Sequence, residues 1–283
     1  MNTTQPRAGD RETILDLFPL SGWGRFKAAF VDLREGCRLL PLAMTLGWLD
    51  IKMRYRGSVL GPFWLTITTA VMVIALGFLY AELFGIVLKT YLPFLALSLV
   101  LWGYISTLIT ESTTVFSQET RLIQSARRPF SVFAIQAIIR NLLVLAHNAV
   151  VVLVVFLIFD IVPLKIWLIL PALGLWIIDS LAITLCLGLF GARFRDIPPI
   201  VGSLLQVFFF VTPVIWKPEL VGTLGGWLLI DPFYPLLAII RAPLLGETLP
   251  LVIWEAALAH SAVLIVLAAV FFARFRARIA YWV

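Results

Sequence analysis

Charged residues are absent from long stretches of this chain and crowd into short ones. Residues 57–81 and 90–110 carry none. From Phe130 to Phe159 the only charge is Arg140, with His147 nearby. Ile166 to Ala192 is interrupted by Asp179, Ile197 to Trp216 by nothing, and Ala256 to Ala273 holds only His260. Crossing ~30 Å of hydrocarbon takes about 20 helical residues. The pattern therefore predicts an all-α integral membrane fold with six transmembrane helices. The stretch from Lys217 to Glu255 is different. Its apolar pieces, Leu224–Ile230 and Phe233–Leu245, are cut by Pro232, Pro235, Arg241 and Pro243. Each is too short to cross, which fits a re-entrant segment between helices five and six, or an amphipathic loop on the headgroups.

The beginning of the chain follows another rule. Residues 1–25 mix Arg7, Asp10, Arg11, Glu12 and Asp16 with few apolar positions, and no signal-peptide core follows. From Arg25 to Arg56 apolar and basic residues interleave, with Lys27, Arg34 and Arg38 at helical spacing and Pro41 dividing the stretch. This is the pattern of amphipathic helices lying in a membrane interface. It gives two parts: residues 1–61 as tail and interfacial helices, and 62–283 as a transmembrane domain. With both termini on one side, seventeen Lys and Arg fall on that side and four on the other, and Arg140 lies within a span. Basic loops stay in the cytoplasm, so both termini are expected there.

Composition closes off other classes. Of 283 residues, 61% are hydrophobic and 13% charged, too few charges to coat a soluble domain of this size. The net charge of +6 then reads as basic loops facing anionic lipid, not as a nucleic-acid surface. Cys37 and Cys186 do not suggest a disulfide framework. No GxxxxGK[ST] motif is present, and His147 and His260 lack ligands at metal spacing, so no cofactor is expected. The spans carry no ladder of acidic residues of the kind a proton-driven pump needs. The driving energy is expected from a separate partner.

Residues Arg54-Tyr55-Arg56-Gly57-Ser58-Val59-Leu60-Gly61-Pro62-Phe63-Trp64 resemble the RYRxSxLGxxW signature of bacterial ABC-type polysaccharide exporter permeases. Leu122 to Phe130, Phe194 to Ile197 and Thr212 to Trp216 resemble the same family in the same order. The resemblance covers roughly residues 40–283. It implies a homodimer of six-helix permeases in the bacterial cytoplasmic membrane, with two nucleotide-binding ATPase subunits and a lipid-linked glycan such as O-antigen as substrate. It also implies a chain that is not itself an enzyme. An ABC permease for small hydrophobic compounds, or an integral-membrane glycosyl- or acyltransferase, are the alternatives; the last would need an interfacial cluster of Asp, His or Glu.

Within that frame, Glu119, Arg121, Leu122, Ile123, Arg127 and Arg128 form a loop expected to couple to the ATPase, since an apolar pair in a cytoplasmic loop needs something to bury it. Three arginines in an inner loop need mean only topology, but the position matched by the resemblance favours coupling. Arg54 and Arg56 lie at headgroup level, to meet either the phosphates of a lipid-linked sugar or ordinary anionic lipid. Phe78, Tyr80, Trp102, Tyr104 and Phe209 are candidates to line a glycan channel on a dimer axis, against the plainer reading of an interfacial aromatic belt. His147 and Asp179 fall near the midplane of neighbouring helices and are expected to pair, and Arg140 with Glu111 similarly.

Overall fold

A computed structural model describes residues 22–61, 63–125, 128–163 and 166–283, with the backbone alone at 221 and 223–225. Arg127, Pro62 and Lys165 therefore lie outside the described residues. The described chain is helical throughout, with no strand. Its helices are α1 (Trp23–Arg38), α2 (Leu40–Arg54), α3 (Phe63–Phe84), α4 (Leu88–Ser112), α5 (Thr120–Ser125), α6 (Ser131–Ile158), α7 (Ile169–Arg193), α8 (Ile197–Val211), α9 (Tyr234–Leu245), α10 (Leu251–Phe275) and α11 (Ile279–Trp282). A 3-10 segment, Pro218–Leu229, leads from α8 toward α9.

Five of the described helices, α3, α4, α6, α7 and α10, are long and apolar enough to cross a membrane. The chain is thus a multi-pass membrane protein. The uncharged run expected as a fifth span is helical for only 15 residues. Those cover about 22 Å, less than the hydrocarbon layer. Pro213 is the reason: proline pushes the residue before it out of the α region, and Thr212 is extended.

Helix α4 is the axis of the bundle and packs on α3, α6, α7, α8 and α9. The flanking helices dock on narrow stripes of residues four apart, each centred on a glycine. In α2 these are Ala43, Gly47 and Ile51, and in α3 Val73, Gly77 and Ala81. Lipid offers no hydrophobic drive between helices, so close van der Waals approach at small side chains is what holds them. Gly191 is an extreme case, since a Cβ there would overlap the Thr113 carbonyl. The turn between α2 and α3 depends on glycine in another way. Gly57 and Gly61 have φ of 87° and 55°, where side chains are disfavoured, and Ser58 Oγ accepts the Gly61 N–H at 3.1 Å.

One end of the bundle gathers α1, the start of α6, and the ends of α7 and α10 around Phe116, Phe133, Leu189, Phe272 and Ile279. Asp32 of α1 fastens this end. Its buried carboxylate accepts the N–H groups of Phe130 (3.2 Å) and Ser131 (3.0 Å) at the start of α6, and Arg276 Nη1 at 2.7 Å. A carboxylate suits the positive end of a helix dipole, here supplied from another helix. The described N- and C-terminal segments therefore share one end.

The opposite end is filled by the chain after α8. Lys217 lies over the Phe94 ring, six residues into α4, whereas Phe233 packs edge-on against Trp102 at 5.4 Å, eight residues further along. At 1.5 Å per residue that is a descent of about 12 Å. From there α9 runs back, and buried Arg241 donates to Ser98 Oγ (3.0 Å) and the Pro213 carbonyl (2.8 Å). Pro235, Leu237, Ala238, Ile239 and Ile240 of α9 are likewise buried.

Candidate functional site

Besides the Asp32 and Arg241 contacts, two polar centres stand out among the described residues. The first is at the α1 end. Arg140 projects from α6 between two carboxylates, with Nη1 on Asp50 Oδ2 at 2.8 Å and Nη2 on Glu111 Oε2 at 2.8 Å. Glu111 also accepts Arg54 Nη2 at 2.9 Å and Asn141 Nδ2 at 2.8 Å. Asp50 and Arg54 are one helical turn apart on α2, and Asp50 reaches Arg140 of α6 while Arg54 reaches Glu111 of α4. Gln136 donates to Asp50 at 2.8 Å. The network ties α2, α4 and α6 together, and it brings Arg140 and Glu111 into contact.

Glu119 belongs to this centre. It is half-buried beside Asp50, Gln136 and Arg140. Burial first, then the Asp50 carboxylate, raises its pKa above the ordinary glutamate value. The loop around it is folded onto the protein. Leu122 and Ile123, on the short helix α5, are partly buried against the apolar cluster at this end. Gln124 donates to the terminal Val283 carbonyl at 3.1 Å. The apolar pair thus has partial intramolecular cover and remains partly exposed. Arg121 is exposed, as are Ser117 and Gln118. Arg128 is half-buried beyond the end of α5.

Arg54 and Arg56 are both exposed, on either side of half-buried Tyr55. Arg54 is committed on one side to Glu111, so the two arginines are not equivalent.

The second centre lies in mid-bundle. Asp179, 6% exposed, accepts Ser261 Oγ at 2.6 Å from α10. The expected His147–Asp179 pair is not what the structure brings together. His147 Nδ1 contacts the Leu143 carbonyl of its own helix at 2.8 Å. Sequence depth placed both residues correctly near mid-span, but depth does not fix rotation about the axis, and Asp179 turns toward α10. Tyr104 bonds Ser180 at 2.8 Å and stacks on Trp176 with ring centroids 5.4 Å apart. Tyr104, Trp176, Asp179, His260 and Phe233 line a cavity of about 390 Å³.

The aromatic candidates scatter. Phe78 of α3 is exposed at the surface. Tyr80 stacks on Phe84 at 5.4 Å and is half-buried. Phe209 is half-buried against Trp102, with centroids 6.0 Å apart. Trp102 and Tyr104 are 6% and 5% exposed within their own bundle. Both are packed among the helices that surround α4.

Asp32, Asp50 and Ser261 were missed by the sequence reading. Asp50 had a signal, its i, i+4 spacing from Arg54 on one helix. Asp32 and Ser261 had none, since their partners are far away in sequence.

A bundle with five helices long and apolar enough to cross a membrane defines a polytopic membrane protein. Residues 41–245 match the ABC-2 type transporter family, and the chain belongs to it. Membership makes it the membrane subunit of an ABC transporter. Among curated proteins it is similar to an O-antigen export system permease protein RfbA of Myxococcus xanthus, 27% identical over 65% of this chain and 71% of that one. A protein of the same description from Klebsiella pneumoniae is 21% identical over 68% of this chain and 74% of its own length.

Proposed function

We propose that this chain is the permease subunit of an exporter for a lipid-linked, O-antigen-like polysaccharide in the bacterial cytoplasmic membrane. It would act as a homodimer with two ATPase subunits docked at the α1 end. The carrying observation is that its similarity to the O-antigen permeases extends over most of both chains. In this reading both termini are cytoplasmic, α1 and α2 lie in the inner interface, and α8 with residues 212–216 serves as a sixth crossing. The descent to Phe233 and return through α9 form a re-entrant segment, supported by the burial of α9. The exposed Arg121, with Ser117 and Gln118, becomes the ATPase contact, while Leu122 and Ile123 hold the loop in shape. Arg56 is the better placed of the two arginines to meet a lipid phosphate, since Arg54 is engaged by Glu111.

The test is deletion of the gene in its host. Lipid-linked glycan is expected to accumulate on the cytoplasmic face and to be missing from the cell surface, with recovery on re-expression. Unchanged surface glycan would exclude the proposal. Loss of resistance to apolar drugs in that strain would favour a small-molecule permease instead.

A further inference from the structure

The mid-bundle cavity has a use independent of polymer export. We infer that it is a lateral binding site for a lipophilic ammonium compound, with Asp179 as its counter-ion. Three observations converge there. The cavity, about 390 Å³, is of ligand size. Val263 and Leu267 on its rim are 60% and 45% exposed on the outside of a membrane-crossing helix, so the opening faces the apolar layer. Its walls are almost wholly apolar, but two buried polar side chains among the lining residues, Asp179 and His260, are incompletely bonded. Asp179 Oδ2 accepts from Ser261, but Oδ1 is buried with no hydrogen-bond partner among the described residues, and the same holds for His260 Nδ1.

The chemistry of the occupant follows from what is left over. A carboxylate oxygen deep in an apolar bundle needs a donor, and a cation if ionised. An alkyl chain supplies neither, and an anion is repelled. A hydroxyl supplies one donor without charge. An ammonium group supplies up to three donors, enough for Asp179 Oδ1 and for His260 Nδ1 when that ring carries its proton on Nε2. Tyr104 and Trp176 have already placed their polar atoms, on Ser180 and on the Leu236 carbonyl. Their contribution to the cavity is ring surface, which attracts cations.

The probe is dodecylamine with a photoreactive diazirine in its tail, applied to the full chain in lipid nanodiscs. Crosslinks mapped by mass spectrometry are expected on α7 and α10 at the cavity. Excess dodecylamine should remove them, and dodecanol should not. Asp179→Asn should cut labelling at least tenfold. Val263→Trp, which blocks the mouth but keeps the carboxylate, should do the same. Should Asp179→Asn fail to fold, Val263→Trp and the dodecanol competition still decide. Equal competition by dodecanol, or full labelling in Val263→Trp or in a folded Asp179→Asn, would overturn the inference.

Discussion

Helices α3 and α4 follow one another in the chain, have nearly the same length and are both apolar enough to cross a membrane. Yet α4 is buried inside the protein over 78% of its most apolar window and α3 over 11%. Hydropathy measures fitness for lipid, and neighbouring helices are as apolar as lipid, so it cannot say which of the two a face will meet. What separates the pair is their side-chain sizes and polar atoms. Helix α3 offers one stripe, Val73, Gly77 and Ala81, and Leu79, Leu83 and Phe78 elsewhere stay exposed. Helix α4 carries Ser98, Tyr104 and Ser112, and each bonds a different neighbour: Arg241, Ser180 and Thr184. Two of these partners are on α7 and one is on α9, so α4 meets these hydrogen bonds only when packed between those helices.

The comparison breaks most severely at the end of α4. Gly191→Val would drive a side chain into the Thr113 carbonyl just beyond α4, where backbone cannot yield. The expected outcome is loss of the monodisperse folded protein in size-exclusion chromatography. Next comes Arg140→Leu, which leaves Glu111 and Asp50 facing each other without their shared cation. Removing one member of a buried ionic network costs about 3 to 5 kcal/mol, read as a large fall in thermal midpoint. Glu111→Gln with Arg140 retained should cost less.

The aromatic pair on the two helices sharpens the contrast. Tyr104→Ala removes a buried ring and should destabilise by about 3 kcal/mol, the range for large aromatic truncations. Phe78→Ala on α3 should change stability by less than about 0.5 kcal/mol. Equal effects would dissolve the distinction between central and peripheral helix. Phe78→Cys also tells what covers α3. In the proposed homodimer, copies in native membranes should crosslink through this position under oxidation. Modification by a lipid-soluble maleimide without crosslinking would mean that lipid covers it.

The all-helical membrane class was legible from the uncharged runs, because a backbone in lipid must satisfy its hydrogen bonds within each helix. The Arg140–Glu111 contact was legible for a related reason: opposite charges at similar depth in an apolar medium have few other partners. The Asp179–His147 expectation failed on the same logic applied too far. Ser261, uncharged and from a helix distant in sequence, had no mark by which depth or charge could select it. The extent of α8 was overread because the run lacks charges up to Trp216, while Pro213 acts on the backbone and leaves hydropathy untouched.

The smallest effect is expected from a comparison within the same charged end. Glu111 and Glu119 are eight residues apart, and their environments oppose each other. Glu111 faces two guanidinium groups and an amide, whereas Glu119 is half-buried next to the Asp50 carboxylate. Burial, and then Asp50, raises the pKa of Glu119 in the folded protein above the ordinary glutamate value. A raised carboxyl pKa means that the folded state holds this proton more tightly than the unfolded state. The resulting stability is fully present below the unfolded pKa and is lost as pH rises through the folded one. Glu119→Gln mimics the protonated form at every pH. It should match the native chain under mildly acidic conditions and exceed it at neutral pH by about 1 °C in thermal midpoint, a small gain because the group is only partly buried. A variant less stable than the native chain at neutral pH would mean that ionised Glu119 is held by Arg140 after all. Glu111 at the end of α4 and Glu119 just before α5 would then play the same part.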